Sequence, residues 1–523
     1  MSINSKNQNL IVACENDSTS YALQILDTID KDTILDQVNK DGDTVFILAC
    51  KNKMHVIINK LISEFKDTIK PYHVNNNGYT ALMHLIKKSD DSMLFTTNYK
   101  INNIINKLID TFGNLCNPGQ VNKDGDTALI LSIENLLPSN ISLKIIETYG
   151  IDCKPEQVNN DGETPLNLSC RYSRNDVALK LIDKFGEKCK PEQNDKYSCT
   201  AFYYACKYKL NDVALKLIDK FYQIDKTYKI NKNVEFYYAL EHKMNDVAFK
   251  IIDIFYDLFT PDYIYDNNPN IFSYNDAIYN CNNTPLLLVC KKSMDELSLK
   301  LIDTFNESCK PEHVDKWGNT ALIIACENKM NNVALKLIDT FGELCKPEQM
   351  NKYYGNTALY WACINKMNDV AIKLIDTFGE LCKPEKVNEC GNTALFIACQ
   401  YYMNDVALKL IDKFGVLCKP DYIDTFDSET AFICACENYM NDVALKLIDN
   451  FGTLCKFNLF DKFNRSTALI YSCQSNKMND VAIKLIDNFG ELCKSDHVNK
   501  YGNTALISAC ENKMNDIALK LIN

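Results

Sequence analysis

Apolar and polar positions follow one arrangement that recurs along the whole chain. From Asn319 the sequence reads NTALIIACENKMNNVALKLIDTFGELCKPEQM, and from Asn356 it reads NTALYWACINKMNDVAIKLIDTFGELCKPEKV. Leu322, Ala325 and Cys326 lie three and four apart, which predicts a short helix with one apolar face. Val333, Ala334, Leu337, Ile338 and Phe341 keep helical spacing and predict a second helix after Asn331. Met330 then precedes the cap and Leu335 takes the fourth helical position, the pairing of a hydrophobic staple. Thr320 stands where its side-chain oxygen caps the first helix. In Thr164-Pro165-Leu166 and Thr284-Pro285-Leu286, proline takes the first helical position, where a missing N–H costs nothing. Asp315-Lys316-Trp317-Gly318 and Asn499-Lys500-Tyr501-Gly502 read as tight turns in which Gly supplies a positive φ. Gly342 closes the second helix as a left-handed cap.

The capping Thr marks the phase: Thr44, Thr80, Thr127, Thr164, Thr200, Thr284, Thr320, Thr357, Thr393, Thr430, Thr467 and Thr504. Two further units, around Leu10 and Val234, lack the Thr and keep the pattern, which makes fourteen. Spacing is 36 or 37 residues where the phase is undisturbed, with breaks of 47 after Thr80, 34 after Thr200 and 50 after Val234. About ten extra residues around Lys88 to Thr97 fall between the helices of the third unit, and Asp257 to Asn280 enlarge one loop. The expected organisation is therefore less regular amino-terminal repeats over 1–256, a loop insertion over 257–280 and regular repeats over 281–523. A turn with two short helices cannot bury its apolar faces alone, so units must stack into an elongated solenoid.

The Asp/Asn-x-x-Gly turn, the Thr-Pro-Leu of Thr164 to Leu166 and Thr284 to Leu286, and the Thr-Ala-Leu of most other units resemble the ankyrin repeat. That resemblance implies an all-α fold, an ankyrin-type solenoid of about fourteen helix-turn-helix repeats joined by hairpin-like loops. A tetratricopeptide array fits less well, since its unit has longer helices and no such turn. Three features depart from the family. Its His after Thr-Pro-Leu is replaced, for example by Ile323, Tyr360 and Phe396. Its Gly between the helices is replaced by residues such as Lys329 and Tyr402. The unit is also longer, with the surplus in Gly-Glu-Leu-Cys-Lys-Pro-Glu. This long variant is similar to ankyrin proteins of giant DNA viruses.

The chain has 523 residues, 46% hydrophobic, and a net charge of −11. That apolar content excludes wholesale disorder. An acidic balance argues against a partner that presents a phosphate backbone, so nucleic acid is not expected. The amino terminus lacks the pattern of a secretory signal and no apolar run is long enough to span a bilayer, so a cytoplasmic protein is expected (host cytoplasm, for a viral one) with no membrane partner.

Of the 24 cysteines, eleven share one helix position (Cys326 and its equivalents) and nine share the loop after the second helix (Cys345 and its equivalents). Metal or redox work would want paired Cys, or Cys with His, at close spacing. No Cys-x-x-Cys occurs and the six His are scattered, so cysteine reads as a small core hydrophobe repeated once per unit. Asp339, Asp376, Asp412, Asp449 and Asp487 share one helix position and read as solvated or locally hydrogen-bonded, not as a catalytic pair. With no phosphate loop, nucleophile elbow or zinc helix motif, the expectation is no enzyme, no metal and no cofactor.

Residues that vary within the fixed frame carry the functional reading. Three positions before the capping Thr, early units have Asp41, Asn77, Asp124 and Asp161, whereas later ones have Tyr197, Trp317, Tyr354 and Tyr501; Phe426 and Phe463 sit one position earlier. In an ankyrin-like stack these six aromatics would lie at the hairpin tips, either as anchors for a partner or with each ring resting on its neighbouring loop. The position after the core Cys also varies, from Lys51, Arg171, Lys207 and Lys291 to Glu327, Ile364, Gln400, Glu437, Gln474 and Glu511, on a helix that faces the concavity in the family. The expected function is a scaffold that binds a protein partner through the concave face and loop tips. The alternative, a substrate adaptor for a ubiquitin ligase, would need a recruiting module such as an F-box, and the last residues still read as repeat. Leu519, Leu521 and Ile522, with no following unit to cover them, point to weak self-association at the carboxyl end.

Overall fold

The computed structural model describes residues 3–87, 95–135, 137–222, 232–255, 259–262 and 282–522. The expected insertion from Asp257 to Asn280 lies outside them apart from 259–262, as do residues 88–94 of the first insertion. Thr96 and Thr97, placed in that insertion by sequence, instead lie in the helix Phe95–Phe112. Among the described residues the chain forms 28 α-helices and no strand, and backbone contacts divide it into two compact units, Met1–Phe259 and Thr260–Asn523. No helix among them is long and apolar enough to cross a membrane.

Within each unit the helices alternate, as in Ala321–Glu327 followed by Asn331–Phe341. Each capping Thr acts as its sequence predicts: Thr320 Oγ1 accepts from the Ile323 N–H at 3.3 Å, Thr164 from Asn167 at 3.1 Å. The first helix is more deeply covered than its spacing suggests. All six residues from Ala321 to Cys326 are buried. The first helices of the adjacent repeats and its own second helix pack against it, so no side is left for solvent.

Three local expectations need correction. Asn331 is the first residue of the second helix and does not cap it; Met330 stands at the cap with no side-chain hydrogen bond. Asn331 and Asn332 are exposed and the Asn331 N–H donates to the Lys329 carbonyl at 3.1 Å, while Met330 is buried. Gly342 is not left-handed α either. Its φ of 52° and ψ of −130° lie in a region that residues with side chains rarely adopt, and the geometry recurs at Gly150, Gly186, Gly379, Gly415 and Gly452. Gly490 differs, with φ −46° and ψ −47°, because the helix runs straight on into the following 3₁₀ turn.

Asn306 holds this glycine conformation, φ 50° and ψ −133°, without being glycine. Nothing lies within 4 Å of a Cβ built at Gly342, so the cost there is purely backbone. Asn306→Gly should therefore stabilise the carboxyl-terminal unit by about 1 kcal/mol in urea unfolding, and an unchanged midpoint would refute the strain. The residues replacing the family's interhelical Gly keep the positive φ a glycine would adopt, Lys329 at 58° and Tyr402 at 63°.

The surplus residues that lengthen the repeat form a 3₁₀ turn, Gly342–Cys345, which returns Cys345 to the core. Its thiol donates to the Leu337 carbonyl at 3.2 Å, and the same bond recurs from Cys189 to Leu181 and from Cys309 to Leu301. Burial pushes the Cys345 thiol up to about 12, away from any reactive thiolate. Cysteine therefore serves packing, as its repetition suggests, except at Cys510 of the last repeat, which is exposed.

Candidate interaction surface

Most of the described hairpins are built on one buried Asn or Asp, with half-buried Asn39 and Asn159 in the same role. Asp315, 2% exposed, accepts from the Trp317 N–H at 2.9 Å and the Asn319 N–H at 2.7 Å. Asn499 does the same for Tyr501 and Asn503, and Asp195 for Tyr197 and Cys199. The second residue after this Asx is thereby fixed at the tip, with its backbone held and its side chain outward.

Successive tips are tied by one backbone hydrogen bond. Lys352 N donates to Trp317 O at 2.8 Å, and Glu389 N to Tyr354 O at 3.0 Å; in the amino-terminal unit Asn160 N donates to Asp124 O at 2.9 Å. The spacing is tight enough to require glycine. Gly78 has φ +82°, and a Cβ there would meet the Asn122 Cα of the next hairpin at 2.7 Å.

Of the six aromatics named from sequence, five occupy tips and Tyr354 stands one residue after one; five of the six are exposed: Phe426 at 76%, Phe463 and Tyr501 at 67%, Tyr197 at 62% and Tyr354 at 55%. Tyr197 belongs to the amino-terminal unit and the rest to the carboxyl-terminal one. Trp317 is different, being half-buried with Lys291 Nζ 4.6 Å and Lys316 Nζ 4.5 Å from its ring. Its π-face is already occupied by the protein's own cations. Tyr501 reaches back to the neighbouring tip, its hydroxyl donating to Asn464 Oδ1 at 3.3 Å. Tyr353, 65% exposed, was missed by counting back from the Thr. Counted forward from the buried Asx, Tyr353, Phe426 and Phe463 all take the tip position, because these three turns are one residue wider.

Behind the tips lies a second, electrostatic layer. The residue before the capping Thr and the last residue of the first helix stand side by side. Lys51 Nζ is 3.1 Å from Asp43 Oδ2, and the Arg171 guanidinium is 2.5 Å from Glu163. Lys291, at the same helix position, donates to Oδ1 of Asn283, the residue before Thr284, at 2.5 Å and also pairs with the Asx of the next hairpin, Asp315, at 2.8 Å. These are the basic residues that sequence placed on the variable position, here seen neutralising buried carboxylates. In the repeat capped by Thr430 the same two positions hold Glu429 and Glu437. Burial raises the Glu429 carboxyl to about 8, reinforced by Glu437, Asp461 and Asp427 and opposed by the Cys434 thiol. Burial also raises Glu437, although the Tyr471 hydroxyl lowers it.

The recurrent Asp of the second helix is paired across repeats, not locally: Lys373 with Asp339 at 2.6 Å, Lys409 with Asp376 at 2.5 Å, Lys520 with Asp487 at 2.6 Å. Both members of each pair are partly exposed, so salt screens them. No three His, Cys, Asp or Glu among the described residues are grouped to hold a metal ion.

A family model described as ankyrin repeats (3 copies) matches residues 139–230, 286–383 and 432–523, more than half of the chain. No curated protein matches it. Among solved structures, the ankyrin repeat domain of Bcl-3, a member of the IκB family, is 18% identical with a TM-score of 0.32, covering 46% of this chain and 99% of that one. A chain from the complex of a predatory endopeptidase of Bdellovibrio bacteriovorus with an immunity protein is 20% identical with a TM-score of 0.30, covering 40% of this chain and 97% of that one.

Proposed function

The chain belongs to the ankyrin-repeat family, and from that premise we propose that it is a non-enzymatic scaffold binding a protein partner through the concave face and hairpin tips of its repeats. The observation that carries this reading is the tip row itself. Large apolar rings with their backbones fixed by buried Asx residues lose little entropy on binding, which is what an anchor needs. The core cysteines and the paired aspartates are absorbed by packing and ion pairing, so they offer no reactive group to substrate. The division into repeats over 1–256, an insertion over 257–280 and repeats over 281–523, a cytoplasmic location, and weak self-association at exposed Leu519 and Ile522 form part of the same proposal.

The test is capture of a protein partner by the full chain, quantified by mass spectrometry, with the double variant Trp317→Ala, Tyr354→Ala beside the parent. The variant is expected to lose about tenfold or more in capture with an unchanged thermal midpoint. Because Trp317 is half-buried between two lysines, Tyr353→Ala with Tyr354→Ala serves as a second variant free of that packing. Undiminished capture by both variants would refute the tip surface.

A further inference from the structure

The slot formed by Glu429 and Glu437 lacks the cation that the repeat frame supplies elsewhere. Lys51 sits eight residues after Asp43, and Arg171 eight residues after Glu163, each bonded to the carboxylate. Glu437 stands at that same separation from Glu429. The corresponding positions of the preceding and following repeats are Gln400 and Gln474, so neither neighbour provides a charge. No Lys or Arg among the described residues lies within salt-bridge distance of Glu429 or Glu437.

The groups around the slot deepen the deficit. Glu429 is 6% exposed and accepts from the Cys434 thiol at 3.0 Å. Glu437 Oε1 accepts from the Tyr471 hydroxyl at 3.1 Å, which also lies 3.0 Å from Asp461 Oδ2. Asp424 and Asp461 are buried Asx residues of the two adjoining hairpins, and Asp427 keeps a buried oxygen with no hydrogen-bond donor. Lys462, on the next hairpin, has its Nζ directed at the Thr425 and Phe426 carbonyls, 3.4 and 3.1 Å away. The other acid–acid slot of the chain, Asp126 with Glu134, is not equivalent. There Asp126 takes the side-chain amides of Asn122 and Asn159, and Arg171 of the next repeat offsets the charge on Glu134.

Phe426 and Phe463, both strongly exposed aromatic tips, belong to the two hairpins whose Asx residues, Asp424 and Asp461, adjoin this slot. We propose that this slot receives a Lys or Arg side chain from a basic segment of a protein partner, with Phe426 and Phe463 packing against its aliphatic stem. The inference rests on the scaffold reading and names the chemistry of the partner at one place. A cation supplied in trans would neutralise the Glu429 and Glu437 carboxylates as Lys51 and Arg171 neutralise Asp43 and Glu163 in cis, and exposed rings on the adjoining hairpins suit a guanidinium or ammonium on an apolar stem.

The probe is a fluorescein-labelled peptide of alternating Lys and Arg flanked by Gly-Ser, titrated by anisotropy against the full chain at physiological ionic strength. Glu437→Lys restores the base in cis, and should weaken binding at least about tenfold while raising the thermal midpoint. Glu437→Gln should give a smaller loss, and Phe426→Ala with Phe463→Ala a loss of about threefold or more. Glu380→Lys makes the same charge change on an exposed 3₁₀ turn, and should stay within about twofold of the parent. The proposal is overturned if Glu437→Lys weakens binding no more than Glu380→Lys, or if the parent binds the peptide no better than a Gly-Ser control of equal length. Retained partner capture through the Tyr353 and Tyr354 tips alongside such a result would remove the slot and leave the scaffold standing.

Discussion

Replacing Glu429 with Gln is expected to stabilise the carboxyl-terminal unit by about 2–4 kcal/mol at pH 9, and to leave stability nearly unchanged at pH 4. Glu429 is buried and its carboxyl is raised from the ordinary 4.5 to about 8, by burial first and then by Glu437, Asp461 and Asp427. The folded state therefore holds a proton between those two values that the unfolded chain has released. Stability is complete below about pH 4.5, falls as pH rises towards about 8, and is flat above it, the reverse of a carboxylate that gains a cationic partner. Gln keeps an acceptor for the Cys434 thiol and cannot ionise. Urea unfolding at pH 4, 7 and 9 should show the parent losing stability across that range and the variant losing much less. Parallel pH profiles for the two proteins would defeat the assignment.

Stability and binding are coupled at this position. A basic side chain entering the slot favours the ionised carboxyl, so the Lys/Arg peptide should bind more tightly at pH 9 than at pH 6. The titratable groups that act on Glu429 are Asp427 from its hairpin, Cys434 and Glu437 from its own first helix, and Asp461 from the next repeat, none of them cationic. Lys462, on the next hairpin, directs its Nζ at backbone carbonyls.

What the sequence made legible was local. The Thr caps, the turns before them and both helices of each repeat follow from neighbouring residues, because a cap needs only its own N–H donors and a helix only its own periodicity. The cap of the second helix failed for an instructive reason. Asn331 looks like a capping residue, but its first turn faces water, and the chain instead spends the cap position on burying Met330. The tip row was legible except at Tyr353. Counting from the Thr assumes one turn length, whereas the anchor of the hairpin is the Asx, and turns such as Asn351 to Thr357 insert a residue after it.

Contacts between repeats were not legible, since nothing in one unit states which residue of the next it meets. Asp339 looks solvated until Lys373 is seen beside it. The Asn that follows the first helix looks like a loop residue, yet Asn365 donates its side-chain amide to the Cys326 carbonyl of the preceding repeat at 2.8 Å, as Asn438 does to Cys399 at 3.0 Å. Glu437 was visible as a variable residue, but its meaning depends on Glu429, and that pairing is readable only after Asp43–Lys51 and Glu163–Arg171 reveal the geometry.

Truncating Phe432 to Ala should cost about 3–5 kcal/mol, the range for emptying a fully buried phenylalanine site. Phe432 is 0% exposed, on the first helix Ala431–Glu437. Its ring meets Phe457 edge-on with centroids 5.2 Å apart, and Phe457 lies 4.5 Å from Phe489 at the end of the next repeat's second helix. The three rings thus join one repeat to its successor. In a stacked array each repeat contacts only its neighbours, so no distant contact compensates for the cavity. The loss should be local: native-state hydrogen exchange should show protection falling over Ala431–Glu437, Asn441–Phe451 and Asn479–Phe489, with Ala321–Glu327 nearly unaffected. Phe432→Leu, which refills much of the volume, should recover most of the protection. An equal loss at Ala321–Glu327 and Ala431–Glu437 would show that the carboxyl-terminal unit opens as a single cooperative body, and would refute nearest-neighbour stacking as the source of its stability.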